Sequence, residues 1–330
     1  MKKRITALLL MLLCLCSTAA CGQDSASEME SASAPAGQQD AATQDSNPPS
    51  EDASGPVEED NTAAAELYVN NLPLEAQVAQ MFFARCPEVD AATLAGEYDI
   101  GGYILFGRDF EGQTPDSITA TIQSYQDAAA TPMLIGVDEE GGTVVRVSAN
   151  PNFRAEKFRS PQALYSEGGF DRIVSDTGEK DELLASIGVN VNFAPVCDVS
   201  TDPSDFMNAR AFGKDAAQTS EYVRTVVAQM LADNTGMVLK HFPGYGSNVD
   251  THTGIAIDER PLETFRESDF LPFQAGIEAG AQAVLVSHNI VNCMDSDLPA
   301  SLSPAVHDIL RDELGFEGVI MTDDLIMEAI

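Results

Sequence analysis

The sequence predicts an α/β fold in which helices cover a parallel sheet, arranged as a TIM-type (β/α)8 barrel. From about residue 64 onward, strand-like and helix-like segments alternate in seven β/α steps. The strand-like segments are nearly continuous apolar runs, which is typical of parallel strands that are buried on both faces. Polar side chains recur where these strands end, as they do at the active-site rim of a barrel.

The individual elements follow from local patterns of apolar, capping and turn residues. The predicted strands are residues 82–86, 101–106, 133–137, 191–196, 237–240, 283–286 and 318–321. The predicted helices are residues 67–81 with a boundary near Pro73, 117–130, 177–187, 217–232, 262–279 and 304–314. The polar residues at the strand ends are Asp138, Asp198, Lys240, His241, His288 and Asp323.

A doubly wound open sheet is the alternative to a barrel, and it would gather only a few of these groups at a switch point. The first predicted strand is not followed by a GxGxxG fingerprint, which argues against a nucleotide-binding version of that sheet. The sequence stops at Ile330, just after the seventh predicted strand. A closed barrel needs one more strand and helix, so we expect a barrel truncated at its carboxyl end.

The amino terminus resembles a secretory signal followed by a tether. Lys2, Lys3 and Arg4 precede the apolar run 5–16, which is shorter than a comfortable membrane span. Small residues then precede Cys21, as in a bacterial lipobox, so we expect residues 1–21 to be a lipoprotein signal peptide and Cys21 to be lipidated. A plain signal peptide with a chance cysteine is the alternative.

Residues 22–62 are rich in Ser, Ala, Gln, Asp, Glu, Pro and Gly, and large apolar side chains are almost missing. Such a segment cannot bury enough surface to offset its ordering entropy, so we expect a disordered acidic linker. The protein would then be secreted across the bacterial cytoplasmic membrane and held at the membrane surface by its lipid anchor.

The charge and the cysteines limit the possible partners further. The formal net charge is −34, which argues against nucleic acid as a partner. Of six cysteines, Cys86, Cys197 and Cys293 lie in the predicted folded part, an odd number without CxxC spacing. We expect Cys86 and Cys197, which lie in apolar strand-like runs, to be buried free thiols.

The segment 240–252 has the highest density of side chains that can transfer protons or bind a ligand. It holds two of the four histidines, together with Lys240 and Asp250, in a loop broken by proline and glycines. Asp250 and His252 are two residues apart, so their side chains share one face of an extended segment. A carboxylate beside an imidazole suits proton transfer near neutral pH. Asp323 ends an apolar strand and is a candidate nucleophile on the same rim.

Several motifs, in order along the chain, resemble glycoside hydrolase family 3, and more narrowly its β-N-acetylglucosaminidase branch. They are Asp138-Glu-Glu-Gly-Gly with Arg146, Asn192-Phe-Ala-Pro with Asp198, Arg210-Ala-Phe-Gly, Lys240-His-Phe-Pro-Gly, Asp250-Thr-His252, residues 301–303 and 310–319, and Thr322-Asp-Asp-Leu. The resemblance covers roughly residues 68–330. Tyr245 stands where this branch often has histidine, and Thr251 where it often has serine.

The resemblance implies that residues 63–330 are the N-terminal catalytic barrel of a retaining glycosidase, without a cofactor or a metal. It places the nucleophile on Asp323 and the acid/base on His252, paired with Asp250. It places sugar binding on a further set of residues, which are Asp138, Arg146, Arg210, Lys240 and His241. The expected substrate carries a terminal β-linked N-acetylglucosamine, for example in a peptidoglycan fragment.

Two other functions remain open from the sequence. His241, Asp250 and His252 could ligate zinc in a metal-dependent barrel hydrolase, although their spacing matches no zinc signature well. A non-catalytic sugar-binding lipoprotein would carry the same tether. Other rim residues have structural alternatives: His288 is either a hydrogen-bonded structural histidine or a substrate contact, and Asp198 either orients neighbouring groups or touches the sugar.

Overall fold

The computed structural model describes residues 62–248 and 254–330. The predicted signal peptide, with Cys21, and the acidic linker up to residue 61 lie outside these residues. Asp250 and His252 lie outside them as well. Within the described ranges, strands and helices alternate along the chain as predicted.

The described strands run parallel wherever they pair. They are β1 (Phe83–Arg85), β2 (Gly102–Leu105), β3 (Leu134–Val137), β4 (Val191–Asn192), β5 (Gly236–Met237), β6 (Leu239–Phe242), β7 (Ile257–Asp258), β8 (Ala283–Val286), β9 (Ile290–Val291) and β10 (Val319–Thr322). One sheet has the order β1-β2-β3-β4-β5, a second has β10-β8-β6, and a parallel bridge between Val196 and Lys240 links them. The short strands β7 and β9 pair with each other.

The neighbours in both large sheets follow chain order without a reversal. A doubly wound sheet would reverse its strand order at a switch point, so that alternative is wrong. β5 and β6 correspond together to one predicted strand, so all seven predicted strands are present in the described residues. The TIM-type barrel arrangement is confirmed.

Helices separate the strands and differ from the predictions mainly in extent. They are α1 (Thr62–Asn71), α2 (Leu74–Ala79), α3 (Ala91–Tyr98), α4 (Gly107–Phe110), α5 (Pro115–Ala128), α6 (Pro161–Ser186), α7 (Ala216–Ala232), α8 (Leu262–Thr264), α9 (Phe270–Glu278) and α10 (Pro304–Asp308). Two π-helical turns, Phe265–Asp269 and Ile309–Glu313, continue α8 into α9 and extend α10.

Three helices correct the sequence predictions. The helix predicted for residues 177–187 begins at Pro161, because Ser160 caps it by accepting a hydrogen bond from the N–H of Ala163. Gly168 and Gly169 interrupt its helical geometry, and this break conceals the first part of the helix in the sequence pattern. The helices α3 (Ala91–Tyr98) and α4 (Gly107–Phe110) were not predicted.

The barrel interior is filled by side chains from facing strands. Phe83 on β1 and Phe193, just after β4, meet edge to face with ring centroids 5.3 Å apart. Gly136 on β3 makes room for this pair, because a Cβ at that position would lie 2.6 Å from the Phe193 ring and 2.9 Å from the Phe83 ring. A second apolar layer lies outside the strands, where α7 and α9 pack together over β6 and β8.

Cys86 and Cys197 are buried free thiols, as predicted, and Cys293 is an exposed free thiol. Among the described residues, none of the helices has the length and apolar character needed to span a membrane.

Candidate active site

The ends of the parallel strands bring four of the predicted site residues to one rim. Asp138 directly follows β3, Lys240 and His241 lie within β6, and Asp323 directly follows β10. Asp198 comes two residues after Val196, which bridges to Lys240. Because β6, β8 and β10 are neighbours and run in the same direction, Lys240 and Asp323 belong to the same end of the barrel.

Lys240 is the centre of a buried ionic network. Its Nζ lies 2.7 Å from Oδ1 of Asp138 and 2.6 Å from Oε1 of Glu140. Burial alone would lower the pKa of Lys240, but the attraction of Asp138 and Glu140 outweighs it and raises that pKa. Among the described residues, two carboxylates therefore engage two of the three ammonium donor positions of Lys240.

Arg210 holds the other side of Glu140 through two parallel hydrogen bonds. Its Nε donates to Oε2 over 3.0 Å and its Nη2 to Oε1 over 2.7 Å. Burial would raise the pKa of Glu140, but Lys240 and Arg210 together hold it far below its ordinary value. The Glu140 carboxylate thus fixes a guanidinium and an ammonium group at the floor of the site.

Arg146 lies at the more exposed edge of the same network. Its Nη2 is 3.3 Å from Oδ2 of Asp138, and 27% of its side chain is exposed, against 3% for Lys240. Glu139 anchors this loop, because its carboxylate accepts hydrogen bonds from the main-chain N–H of Arg146 and of Val147 over 2.7 and 2.8 Å. Arg146 and Asp138 consequently present polar atoms toward the mouth of the barrel.

His241 is held between Asp198 and Arg210. Its Nδ1 lies 2.8 Å from Oδ2 of Asp198, and its Nε2 lies 3.2 Å from Nη2 of Arg210. Because a guanidinium can only donate, Nε2 accepts this hydrogen bond and the ring carries its proton on Nδ1. Both ring nitrogens are therefore engaged, and a sugar oxygen or a metal ion would reach Nε2 only in place of Arg210.

Asp198 orients the groups around it. Besides the His241 ring, its carboxylate accepts hydrogen bonds from the N–H of His241 over 3.2 Å and from the N–H of Tyr245 over 2.8 Å. Burial would raise the pKa of Asp198, but its electrostatic interaction with His241 and these hydrogen bonds lower that pKa. With only 1% of its surface exposed, Asp198 fits the orienting role rather than sugar contact.

Asp323 is half-buried just beyond β10. Its main-chain N–H donates to the carbonyl oxygen of Val286 over 2.9 Å, which attaches it to β8. Its Oδ1 accepts a hydrogen bond from the N–H of Asp324 over 2.8 Å. Among the described residues Oδ2 has no hydrogen-bond partner, which leaves one carboxylate oxygen available for chemistry.

His288 supports the same strand end. Its ring is fully buried, with Nδ1 2.7 Å from Oγ of Ser301 and Nε2 3.0 Å from the carbonyl oxygen of Asp324. These contacts favour the structural histidine over a substrate contact. Asp324 also pairs with Arg85 and accepts from the N–H of Ile326, so it closes the turn after Asp323.

The structure leaves the acid/base prediction untested, since Asp250, Thr251 and His252 lie outside the described residues. The zinc alternative depends on the same loop and is untested for the same reason. Tyr245, one of the two departures from the family pattern, is buried with its ring edge to face against His241, at 5.3 Å between centroids. It therefore packs behind the floor of the site.

Two structural roles were missed from the sequence. Glu140 belongs to the motif that begins at Asp138 but was given no role of its own, yet it joins Lys240 to Arg210. Arg260 was not singled out, yet it makes several hydrogen bonds beside the segment that carries Asp250. The sequence signal for the role of Glu140 was the run of three acidic residues, 138–140, at a strand end. So much negative charge at a buried position requires cations nearby.

Comparison with known proteins supports the family predicted from the motifs. Residues 73–330 match the Glycosyl hydrolase family 3 N terminal domain. The chain is 34% identical over 233 residues to a beta-hexosaminidase of Xanthomonas campestris pv. campestris, and the alignment covers 70% of each chain. It is 36% identical over 236 residues to a beta-hexosaminidase of Stenotrophomonas maltophilia, which covers 70% of this chain and 69% of that relative.

Similar solved structures lead to the same family. A glycoside hydrolase family 3 beta-N-acetylglucosaminidase from Paenibacillus sp. superposes with a TM-score of 0.72 at 29% identity, over 78% of this chain. The superposition covers 50% of the Paenibacillus chain. A beta-N-acetylhexosaminidase from Beutenbergia cavernae superposes with a TM-score of 0.68 at 27% identity, over 78% of this chain and 80% of that chain. This chain therefore belongs to glycosyl hydrolase family 3, as its motifs predict.

Proposed function

We propose that this protein is a retaining β-N-acetylhexosaminidase that removes terminal β-linked N-acetylglucosamine. The observation that carries the proposal is the shared rim of the ionic network around Lys240 and of Asp323, whose Oδ2 has no hydrogen-bond partner in the described part of the chain. The names of its relatives, beta-hexosaminidase and beta-N-acetylglucosaminidase, support the same substrate class here.

The ionic network would bind the terminal sugar. Asp138 accepts hydrogen bonds from sugar hydroxyls, while Arg146, Arg210 and Lys240 donate to hydroxyl or acetamido carbonyl oxygens. His241 completes the floor between Arg210 and Asp198. Because these cations are already fixed by buried carboxylates, little side-chain entropy is lost when the sugar binds.

Asp323 would act as the nucleophile. Its free carboxylate oxygen attacks the anomeric carbon, the bond from that carbon to the leaving oxygen breaks, and a covalent glycosyl ester forms. The N–H of Asp324 holds the other carboxylate oxygen and keeps the nucleophile oriented. Water then attacks the anomeric carbon, and Asp323 leaves with net retention of configuration.

His252 would supply and remove the protons of both steps. It protonates the leaving oxygen in the first step and deprotonates the attacking water in the second, while Asp250 holds its tautomer. Activity should therefore depend on a group that titrates near the ordinary histidine pKa of about 6.5, shifted by the Asp250 carboxylate.

The cellular setting is also part of the proposal. A lipobox-like sequence at Cys21 and the acidic segment 22–62 support secretion across the bacterial cytoplasmic membrane and tethering at its surface. Peptidoglycan fragments would be a natural source of β-linked N-acetylglucosamine there. Cys21→Ala should move the protein from the membrane fraction to the soluble fraction, and an unchanged membrane fraction would contradict the lipid anchor.

Turnover of a nitrophenyl N-acetyl-β-glucosaminide tests the proposed activity. Asp323→Ala should lower kcat by at least about 1,000-fold, because the covalent route is lost. Asp312→Asn, an exposed carboxylate change, serves as the matched control and should leave kcat unchanged. Full activity of Asp323→Ala would exclude this nucleophile, and binding of N-acetylglucosamine without product release would favour the non-catalytic alternative.

A further inference from the structure

Arg260 joins three separate parts of the chain beside the segment that carries Asp250 and His252. Its Nη2 donates to the carbonyl oxygen of Gly244 over 3.1 Å, on the segment that leaves β6. The same nitrogen donates to Asp258 on β7 over 2.7 Å. Its Nη1 donates to both carboxylate oxygens of Asp269, in the π-helical turn, over 2.9 and 3.0 Å. Every guanidinium nitrogen of Arg260 thus has an acceptor, since Nε also donates to Asp258.

The same cluster brings the two ends of that segment together. Nδ2 of Asn248, before the segment, donates to Oδ2 of Asp258, after it, over 2.9 Å. Asn248 precedes Asp250 by two residues, and Asp258 follows His252 by six. Asp258 is fixed in turn, because β7 pairs with β9, directly beyond β8 and His288. We name these residues, Asn248, Asp258, Arg260 and Asp269, the Arg260 cluster.

The packing around the guanidinium leaves little freedom. Its Cζ lies 4.3 Å from the centroid of the Phe265 ring. Gly246 has a φ of 57°, and a Cβ on it would lie 2.5 Å from Cζ of Arg260. The main chain of residues 244–246 therefore rests directly on the guanidinium, a contact that a bulkier residue at position 246 would prevent.

The two carboxylates around position 260 explain why this residue is an arginine. Asp258 and Asp269 are each only 2% exposed, and each needs a cation when ionised. Burial raises the pKa of Asp269 to about 6 even though Arg260 opposes that shift. A lysine could supply one charge but not a planar fork that serves two carboxylates and a carbonyl oxygen at once.

We propose that Arg260 is a positioning residue for the acid/base, through its hold on both ends of the segment between Asn248 and Asp258. This inference rests on the proposed function, in which His252 transfers the protons. An acid/base must come within hydrogen-bond distance of the leaving oxygen, and a displacement of about 1 Å can cost about 100-fold in rate. Since every guanidinium nitrogen of Arg260 already donates to the protein, we expect it to act through this segment and not on the sugar.

The test compares two leaving groups by kcat/KM, which reports the first, glycosidic-bond-breaking step. A dinitrophenyl N-acetyl-β-glucosaminide needs almost no protonation, whereas N,N′-diacetylchitobiose needs a proton on its leaving sugar. Arg260→Lys should lower kcat/KM about 100-fold for the disaccharide and less than about 5-fold for the aryl glycoside. Asn248→Ala, which breaks only the link between the two ends, should show the same selectivity with a smaller loss.

Arg266→Lys is the matched control, since Arg266 makes a comparable two-bond pair with Glu313 at the surface. Arg266→Lys should leave kcat/KM unchanged for both substrates. Adding Arg260→Lys to His252→Ala should cause no further loss on the disaccharide, because Arg260 has no acid/base left to position once His252 is removed. Equal losses of kcat/KM on both substrates in Arg260→Lys would assign Arg260 a purely structural role. An unchanged kcat/KM on both would mean that Arg260 has no role in the reaction. Either result overturns the proposal.

Failure of the proposed function would look different. It would show as a wild-type protein that cleaves neither substrate, or as an Asp323→Ala variant that cleaves both. If Arg260→Lys unfolds, Asn248→Ala decides alone, because the Asn248 side chain carries no charge and its loss leaves Arg260 paired with both carboxylates. Selectivity between the two leaving groups in Asn248→Ala then supports the proposal, and a uniform loss or no loss overturns it.

Discussion

Nε2 of His288 lies 3.0 Å from the main-chain carbonyl oxygen of Asp324, the residue directly after Asp323. Because a carbonyl oxygen can only accept, the hydrogen lies on Nε2, and this contact fixes the main chain at the end of β10. Ser301 holds the opposite side of the ring over 2.7 Å. A buried imidazole two residues beyond the neighbouring strand β8 therefore helps to orient the proposed nucleophile.

Replacing His288 should impair the chemical step more than substrate binding. We expect His288→Ala to lower kcat about 10- to 100-fold with a KM within about 3-fold of wild type, since Asp323 would lose its fixed orientation while the sugar-binding network stays intact. Steady-state kinetics on a nitrophenyl glycoside measure this. A large rise in KM with an unchanged kcat would place His288 in substrate binding instead.

Glu140 should matter for substrate affinity although it is buried beneath the cations. Glu140→Gln removes the charge shared by Lys240 and Arg210, and hydrogen bonds to charged groups contribute about 1.5–3 kcal/mol each. We expect a rise in KM of at least about 10-fold and a lower Tm. Glu179→Gln is the control, because Glu179 forms surface ion pairs with Arg154 and Arg172. Equal changes of KM and Tm in Glu140→Gln and Glu179→Gln would show that the ionic network around Lys240 does not organise the site.

The barrel interior should reject even one methyl group at Gly136. Gly136→Ala places a Cβ 2.6 Å from Phe193 and 2.9 Å from Phe83. Overpacking of this kind costs about 1–3 kcal/mol in the free energy of unfolding, which urea titration measures. Gly107→Ala is a suitable control, since a Cβ there would meet nothing within 4 Å. Full stability of Gly136→Ala would mean that the two rings are less constrained than their contact indicates.

Asp181 should make the stability of the protein depend on pH. It is 2% exposed on α6, lines a cavity of about 20 Å³ between α6 and α7, and burial together with the nearby Asp233 raises its pKa to about 8. Between the unfolded carboxyl pKa of about 3.9 and this value, the folded state binds more protons than the unfolded state. Stability therefore falls as pH rises, although Lys180 partly offsets the effect.

Because of the Asp181 carboxyl group, the free energy of unfolding should decrease by roughly 2–3 kcal/mol as the pH rises from about 5 to about 7. Asp181→Asn should remove that part of the slope and stabilise the protein at the higher pH. Urea titrations at both pH values measure it, with Glu182→Gln as the exposed neighbouring control. The same slope in wild type and Asp181→Asn would contradict the assignment.

The strands and the rim residues could be predicted from the sequence because each is a local pattern. An apolar run followed by a polar residue identifies Asp138 and Asp323 without any knowledge of their neighbours. The break in α6 at Gly168 and Gly169 was not predicted, and neither was the eight-residue helix α3. Local patterns are ambiguous in such short stretches. The sheet order that excludes a doubly wound fold also required the structure.

The connections within the site could not be predicted, because they join residues that are distant in the sequence. Glu140 and Arg210 are 70 residues apart, and Lys240 and Asp138 are 102 apart. The sequence contains the charges but not their pairing, and an acidic residue at a strand end is equally consistent with a helix cap. The same holds for Arg260, whose three partners belong to separate parts of the chain.

The most direct measurement of the central claim is the capture of the covalent intermediate. A fluorinated N-acetylglucosaminyl donor with a good leaving group should slow the second step and leave the sugar on the protein. Mass spectrometry of a proteolytic digest should then place one sugar adduct on the peptide that contains Asp323, and Asp323→Ala should carry none. An active protein without an adduct, or with an adduct on a residue other than Asp323, would contradict the proposed mechanism.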